Sequence, residues 1–341
     1  VILGVDIGGA NTKAASSDGR FAEIRYLPLW KRSPLGDHLA GLSSRLRPDA
    51  VGVVMTGELA DCFESRREGV MFIASEVKRA FDCTVHFWGL GGFHESISGD
   101  NALDLAAANW SASIALLLRD IGECIFVDMG STTTDIIPVI DRPLSGCTDL
   151  KRLMRGELIY TGVLRTNLAA LLPCVYLSCG SAPLSSELFS ITADAYLALG
   201  DIKPDAYSCE TPDSGPKSRE GALRRLARTV CSDLDELGED GALSIAAQAK
   251  SRQISIISSG ISRIAERHNI RRIVAAGVGE FIVEAACERA GLECIRLSEI
   301  YTERLSDVFP AFAVARLLSE RYPVSQIRAE NCEDQRGYHE P

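Results

Sequence analysis

An α/β fold of two duplicated domains follows from three features of the chain. The stretch "VILGVDIGGANTK" is echoed by "CIFVDMGSTTTDI". In both, apolar residues lead into an aspartate, Asp6 or Asp128, and then into a glycine turn at Gly8 and Gly9 or at Gly130. The second feature is that strand and helix signals alternate along the first third and restart after residue 120. The third is length: 341 residues exceed what one core usually serves.

In the first unit, residues 1–7 read as a buried strand and 10–16 as its return after the glycine turn. "FAEIRYLPLW" reads as a third strand. "LGDHLAGLSSRLRPD" predicts a short amphipathic helix before the apolar strand "AVGVVMTG". Helix 75–81, strand "CTVHFWG", a glycine loop at 89–92 and helix 102–119 complete the unit. The second unit opens on "ECIFVDMGSTTTDIIPVI". Its loop "DIKPDAYSCETPDSGPKS" predicts a lid or insertion, since Pro, Ser, Gly and Asp dominate it. A helical stretch follows "SREGALRRLARTVCSDLDEL" and runs over 241–268. Then come strand "RRIVAAGVG", helix 280–290, strand "LECIRL" and a last apolar helix in "PAFAVARLLSERY". The expected division is 1–120 for the first domain, joined by a returning helix at about 308–322, then 121–307 for the second and a polar tail over 323–341.

Composition narrows the function. With 46% hydrophobic and 24% charged residues the chain is that of a folded protein rather than a disordered one. A net charge of −10 opposes a nucleic-acid surface, and no apolar run is long enough for a membrane span. The eleven cysteines lack any CxxC pair and the five histidines lack ligand spacing, so reduced thiols are expected over disulfides or zinc. The N-terminus opens on a core strand without a basic or cleavable segment, which predicts a cytoplasmic protein.

The chemistry concentrates in the two hairpins. Glycine lets backbone amides approach an anion closely. An aspartate beside them suits magnesium, which combines a few carboxylates with phosphate oxygens and water. Two such loops facing one interdomain cleft would grip a polyphosphate from both sides. The candidates are Gly8, Gly9, Asn11, Thr12 and Lys13 in loop one, and Gly130, Ser131, Thr132, Thr133 and Thr134 in loop two, with Asp6 and Asp128 as metal ligands. Gly277 and Gly279 in "AAGVGE" open a helix whose N-terminus favours an anion. Asp6, Asp128 and Asp135 are the carboxylates available for catalysis. Arg155 and Arg165, on either side of "GELIYTGV", are candidate anion contacts; Glu58 is a candidate for a substrate amine and Asn109 for an aromatic pocket. For His86 and His94 a structural role is expected.

These loops, in this order, resemble the actin, Hsp70 and sugar-kinase ATPase superfamily. That resemblance implies two duplicated actin-like ATPase (ribonuclease H-like) domains, each a mixed sheet flanked by helices. "GVDIGGANTK", "TGELADCF", "AAANW", "FVDMGSTTTDIIPV" and "GELIYTGVLRT" are similar to a hydantoinase/oxoprolinase-related branch linked to tetrahydromethanopterin-dependent C1 transfer, and within it to methanofuran biosynthesis. What the resemblance implies is a magnesium-dependent transferase joining an aminomethylfuran diphosphate to the phenol of γ-glutamyltyramine, with diphosphate released. ATP or another nucleotide could bind but is not expected to be consumed. The partners implied are those small molecules, with homo-oligomer formation left open. An ATP-dependent kinase or hydantoinase-type ATPase uses the same loops, and a nucleotide-sensing regulator is the non-catalytic alternative.

Overall fold

The computed structural model describes residues 1–94, 96–98 and 101–322. By contact the chain divides into two compact units. Unit 1 holds Val1–Glu123, Val139–Asp149 and the described residues from Leu297 on; unit 2 holds Cys124–Pro138 and Leu150–Arg296. Residues 139–149 and 297–307, on the second side of the expected boundary at 120/121, thus cluster with the first unit. The polar tail at 323–341 lies outside the described residues.

Unit 1 contains β1 (Ile2–Gly8), β2 (Asn11–Ser16), β3 (Ala22–Tyr26), β4 (Ala50–Thr56), β5 (Thr84–Gly89) and β6 (Gly92–His94). Its sheet runs β3-β2-β1-β4-β5-β6. β1 is antiparallel to β2 and parallel to β4, and β4 is parallel to β5. In unit 2, β7 (Cys124–Met129), β8 (Thr134–Val139) and β9 (Leu158–Ile159) precede a two-stranded hairpin, β10 (Cys174–Leu177) with β11 (Gly180–Pro183); β12 (Arg272–Ala276) and β13 (Glu293–Arg296) follow. The five-stranded sheet runs β13-β12-β7-β8-β9, with β12 parallel to both β7 and β13. Read from β9, this order repeats β3-β2-β1-β4-β5. The fold class is therefore α/β, with two mixed sheets flanked by helices and the same strand order in each.

The central strands are buried on both faces, which is why they read as continuous apolar runs. Leu3, Val5 and Ile7 on β1, Val51 and Val53 on β4, and Ile125, Phe126 and Val127 on β7 are all fully buried.

The helices are α1 (Leu35–Leu46), α2 (Arg66–Ala80), α3 (Ala102–Leu105), α4 (Asn109–Asp120), α5 (Asp149–Arg155), α6 (Leu168–Leu171), α7 (Thr192–Leu199), α8 (Arg219–Arg228), α9 (Leu234–His268), α10 (Glu280–Ala290), α11 (Leu297–Ile300), α12 (Glu303–Asp307) and α13 (Phe309–Arg321). α13 lies across β1 and β4, and two glycines make room for it. A Cβ on Gly4 would stand 1.8 Å from the Ala311 carbonyl oxygen, and one on Gly52 would meet Val314 at 3.1 Å.

Three expectations are revised by the structure. α2 starts nine residues before the predicted 75, where Ser65 accepts a hydrogen bond from the Glu68 amide and caps the helix. The predicted helix 102–119 is two helices, because Ala107 adopts a left-handed φ of 51° between α3 and α4. Of the lid or insertion expected over "DIKPDAYSCETPDSGPKS", the lid is revised, because the segment is pinned at Tyr207. Tyr207 is fully buried and its hydroxyl donates to Asp194 at 3.0 Å.

The ten cysteines among the described residues are free thiols. His86 is buried and stacks on Tyr322 at 4.7 Å, and His94 meets Asp104 at 2.8 Å, so both have structural partners. Among the described residues no helix is long and apolar enough to cross a membrane.

Candidate functional site

In unit 1 the first loop leaves the carboxyl end of β1, between β2 and the parallel neighbour β4. Carboxyl ends of parallel strands are where α/β sheets present ligand sites. Asp6 is nearly buried and pairs in register with Lys13 on β2, so the two side chains share one face of the sheet. Ile7 pairs with Thr12, which puts Thr12 on the opposite face from Lys13; Thr12 is 1% exposed. Gly8 makes the turn tight: a Cβ there would lie 2.9 Å from the Asn11 carbonyl oxygen. A Cβ on Gly9 would meet nothing within 4 Å, so its outer side is open to a ligand.

The neighbouring turn was not legible as part of this loop. The Gly57 amide donates to the Ile7 carbonyl at 3.0 Å, and a Cβ on Gly57 would stand 3.0 Å from the Gly8 carbonyl. A side chain here would force the Gly8 backbone and the Leu29 side chain, 2.7 Å away, to shift. The next residue, Glu58, is 1% exposed. Burial pushes its carboxyl up to about 7, helped by the negative charge of Asp149 and opposed by the Ala107 backbone donor and Arg66. Asn109 sits just beyond Ala107 in the first turn of α4, where its side-chain oxygen accepts from the Trp110 amide at 2.8 Å. The structure therefore groups Gly8, Glu58 and the Ala107 to Asn109 segment within unit 1.

In unit 2 the second loop is clamped from two sides. The Gly130 amide donates to the Thr133 carbonyl at 3.0 Å, closing the turn. The "YTGVLRT" segment lies against it: the Val163 amide donates to Gly130, and the Leu164 and Arg165 amides both donate to Ser131, each at 3.0 Å. A Cβ on Gly162 would lie 2.4 Å from the Thr132 nitrogen. Arg165 reaches the Thr132 hydroxyl at 3.2 Å. On the other side, Asp128 is in register with Ala276 on β12, and a Cβ on Gly277 would come 2.5 Å from the Asp128 Oδ1. The Gly279 amide donates to the Met129 carbonyl at 3.0 Å and leads into α10. Asp128, Gly130, Ser131, Thr132, Arg165, Gly277 and Gly279 thus form one cluster.

Three candidates sit elsewhere in that unit. Thr134 is fully buried and its hydroxyl donates to the Thr161 carbonyl at 2.8 Å. Asp135 forms an ion pair with buried Arg152 at 2.6 Å. Arg155 is 54% exposed and reaches Glu157 at 4.0 Å.

Behind the clamp lies a buried polar network that no local motif announces. Gln253, fully buried on α9, donates to the Gly162 carbonyl at 2.8 Å and to the Thr161 hydroxyl at 2.7 Å. Thr166 and Thr192 donate to the same Gly162 carbonyl at 3.2 and 3.0 Å. The carbonyl is held by three donors, which fixes the segment that shapes loop two.

Among the described residues no three His, Cys, Asp or Glu side chains cluster as a metal cage. One carboxylate behind each glycine loop fits a different metal chemistry, in which magnesium is held largely by phosphate oxygens and water.

A model of the hydantoinase/oxoprolinase family matches residues 49–321. The (4-{4-[2-(γ-L-glutamylamino)ethyl]phenoxymethyl}furan-2-yl)methanamine synthase of Methanocaldococcus jannaschii is 38% identical over 330 residues, covering 94% of this chain and 98% of the relative. A protein of the same name from Methanococcus vannielii is 38% identical over 200 residues, covering 57% of this chain and 90% of the relative. Among solved structures, a ROK family glucokinase from Streptomyces griseus with glucose and AMPPNP aligns at 14% identity and a TM-score of 0.48, covering 93% of this chain and 98% of that one.

Proposed function

Because the chain belongs to the hydantoinase/oxoprolinase family, we propose that it is the transferase of methanofuran biosynthesis that makes the phenoxymethylfuran ether. The observation that carries this reading is the identity, over nearly the whole of both chains, to the synthase from Methanocaldococcus jannaschii. The product in that relative's name contains a phenol oxygen joined to a methylene on furan. Forming this bond from a furfuryl-type diphosphate and a γ-glutamyltyramine-like phenol releases diphosphate, an alkyl or aryl group transfer.

Two demands follow from that chemistry. Negative charge grows on the departing diphosphate, and the phenol must shed its proton. The glycine loops answer the first, since amides preorganised around Gly8 to Asn11 and around Ser131 and Thr132 stabilise developing charge without reorganising. Asp6 and Asp128 would hold the magnesium, which when bound neutralises phosphate charge. Arg165, fixed on Thr132, adds a cation at loop two. The Gly277 to Gly279 turn presents the N-terminus of α10 beside Asp128. Asn109 serves the acceptor side, and Lys13, on the Asp6 face, the phosphate side. ATP is not consumed in this reading, and the enzyme works in the cytoplasm.

Incubating purified protein with aminomethylfuran diphosphate, γ-glutamyltyramine and magnesium is expected to give the ether and one diphosphate per ether without ATP. Chelation should stop the reaction. Stoichiometric ADP formation with no ether would instead establish a kinase or ATPase.

A further inference from the structure

We propose that Glu58 is the catalytic base that takes the proton from the phenolic acceptor. The inference rests on the ether-forming reading and adds the residue that meets its second demand.

Glu58 directly follows the carboxyl end of β4, and Gly57 seats it on loop one through the amide bond to Ile7 and the close approach to Gly8. α2 fixes it from behind, since a Cβ on Gly69 would stand 2.2 Å from the Glu58 carbonyl oxygen. Gly57 thus brings the turn against loop one, and Gly69 makes room for the Glu58 backbone.

The fold leaves one oxygen of this carboxyl over. The carboxyl is buried, yet Oε2 has no hydrogen-bond partner in the protein. A buried acceptor without a donor is destabilising, so a structural carboxylate here would be a liability. A donor brought by a ligand resolves it. Glu58 lies in one short turn, in which the Ala60 amide bonds back to Gly57 at 3.1 Å, and the next residue, Leu59, is 53% exposed. In this proposal a shift of that turn carries Oε2 to an acceptor bound beside loop one.

The charges around Glu58 suit the task. Asp149 disfavours its ionised form and Arg66 favours it, while Asp6 lies on neighbouring β1. With burial dominating, the carboxyl ionises near neutral pH, where a base both exists as carboxylate and binds a proton firmly. An ordinary exposed glutamate is a far weaker partner for a phenol of pKa about 10.

A lone pair on the phenol oxygen forms the bond to the furfuryl methylene carbon. The O–H pair stays on that oxygen as the proton passes to Oε2. The carbon–oxygen bond to diphosphate breaks, and its pair leaves on the diphosphate.

The test is the pH dependence of kcat for wild type, Glu58→Gln and Glu58→Asp. Each is assayed with γ-glutamyltyramine and with a ring-fluorinated analogue whose phenol ionises near neutral pH, and thermal melting confirms that each variant folds. Wild-type kcat should fall below a pH of about 7. Glu58→Gln should lose at least about a hundredfold and show no such limb, and the fluorinated acceptor should restore most of the loss. Glu58→Asp should keep the limb at reduced kcat. A Glu58→Gln enzyme that keeps kcat, keeps the limb, or gains nothing from the fluorinated acceptor would overturn the assignment. If wild type makes no ether, the reading beneath the assignment fails and the assignment falls with it.

Discussion

Asp128→Asn is expected to lower turnover about a hundredfold while leaving the melting temperature within a few degrees of wild type. The carboxylate stands at the end of β7, in register with Ala276 and against the Gly277 turn. Asparagine keeps the volume that this contact requires and removes the charge. If Asp128 helps hold the metal that neutralises diphosphate, the lost electrostatic contact costs on the order of 3 kcal/mol in the transition state, which is about a hundredfold in rate. Steady-state kinetics at saturating magnesium and a thermal melt check both halves. Near-normal kcat in a folded Asp128→Asn protein would remove Asp128 from the site.

Arg225→Met should produce the largest loss of stability. Arg225 and Asp194 are both fully buried, and Nε and Nη2 of the guanidinium lie 2.8 Å from Asp194 Oδ1. Arg225 also reaches Asp213 at 3.2 Å, and Asp194 accepts from Tyr207, Ser190 and the Ile191 amide. Truncating the arginine leaves a buried carboxylate without its cation, a change that costs about 3–5 kcal/mol. Burial already raises the Asp194 carboxyl. In the variant this shift grows, so the folded state binds a proton that the unfolded state gives up. Stability is then regained as pH falls and lost as it rises, and the deficit should be smaller at pH 5 than at pH 8. Denaturant midpoints at both pH values test this. A wild-type midpoint, or a deficit that widens in acid, would contradict it. Thr192 opens α7 and donates to the Gly162 carbonyl, so turnover should fall with stability.

How much of this was readable from the chain depends on how local the cause is. β1 and β7 were legible because burial on both faces demands unbroken apolar runs, and the glycine loops because Asp-x-Gly follows each run. Ser65 and Glu68 did carry the start of α2, but the polar "SRREG" that contains them lacks the apolar period that marks a helix. Ala107 gave no signal, since alanine in a left-handed conformation is held there by its surroundings rather than by preference. The same holds for long-range pairings. Nothing near Gly162 in the sequence reveals that Gln253, 91 residues on, binds its carbonyl, or that Arg225 will meet Asp194. The candidates that found other partners, Thr134 and Asp135, show the limit of reading a motif as a run: β8 begins at Thr134, so strand pairing rather than loop geometry decides where those side chains go.

The central claim is that the bond broken joins carbon to oxygen, not phosphorus to oxygen. Placing oxygen-18 at the position bridging the furfuryl methylene and the diphosphate tests it most directly, with mass spectrometry of both products after turnover with γ-glutamyltyramine. The account predicts that all label leaves in the diphosphate and that the ether carries none. Label retained on a furfuryl alcohol, with the diphosphoryl group found on the acceptor, would show cleavage at phosphorus and contradict it.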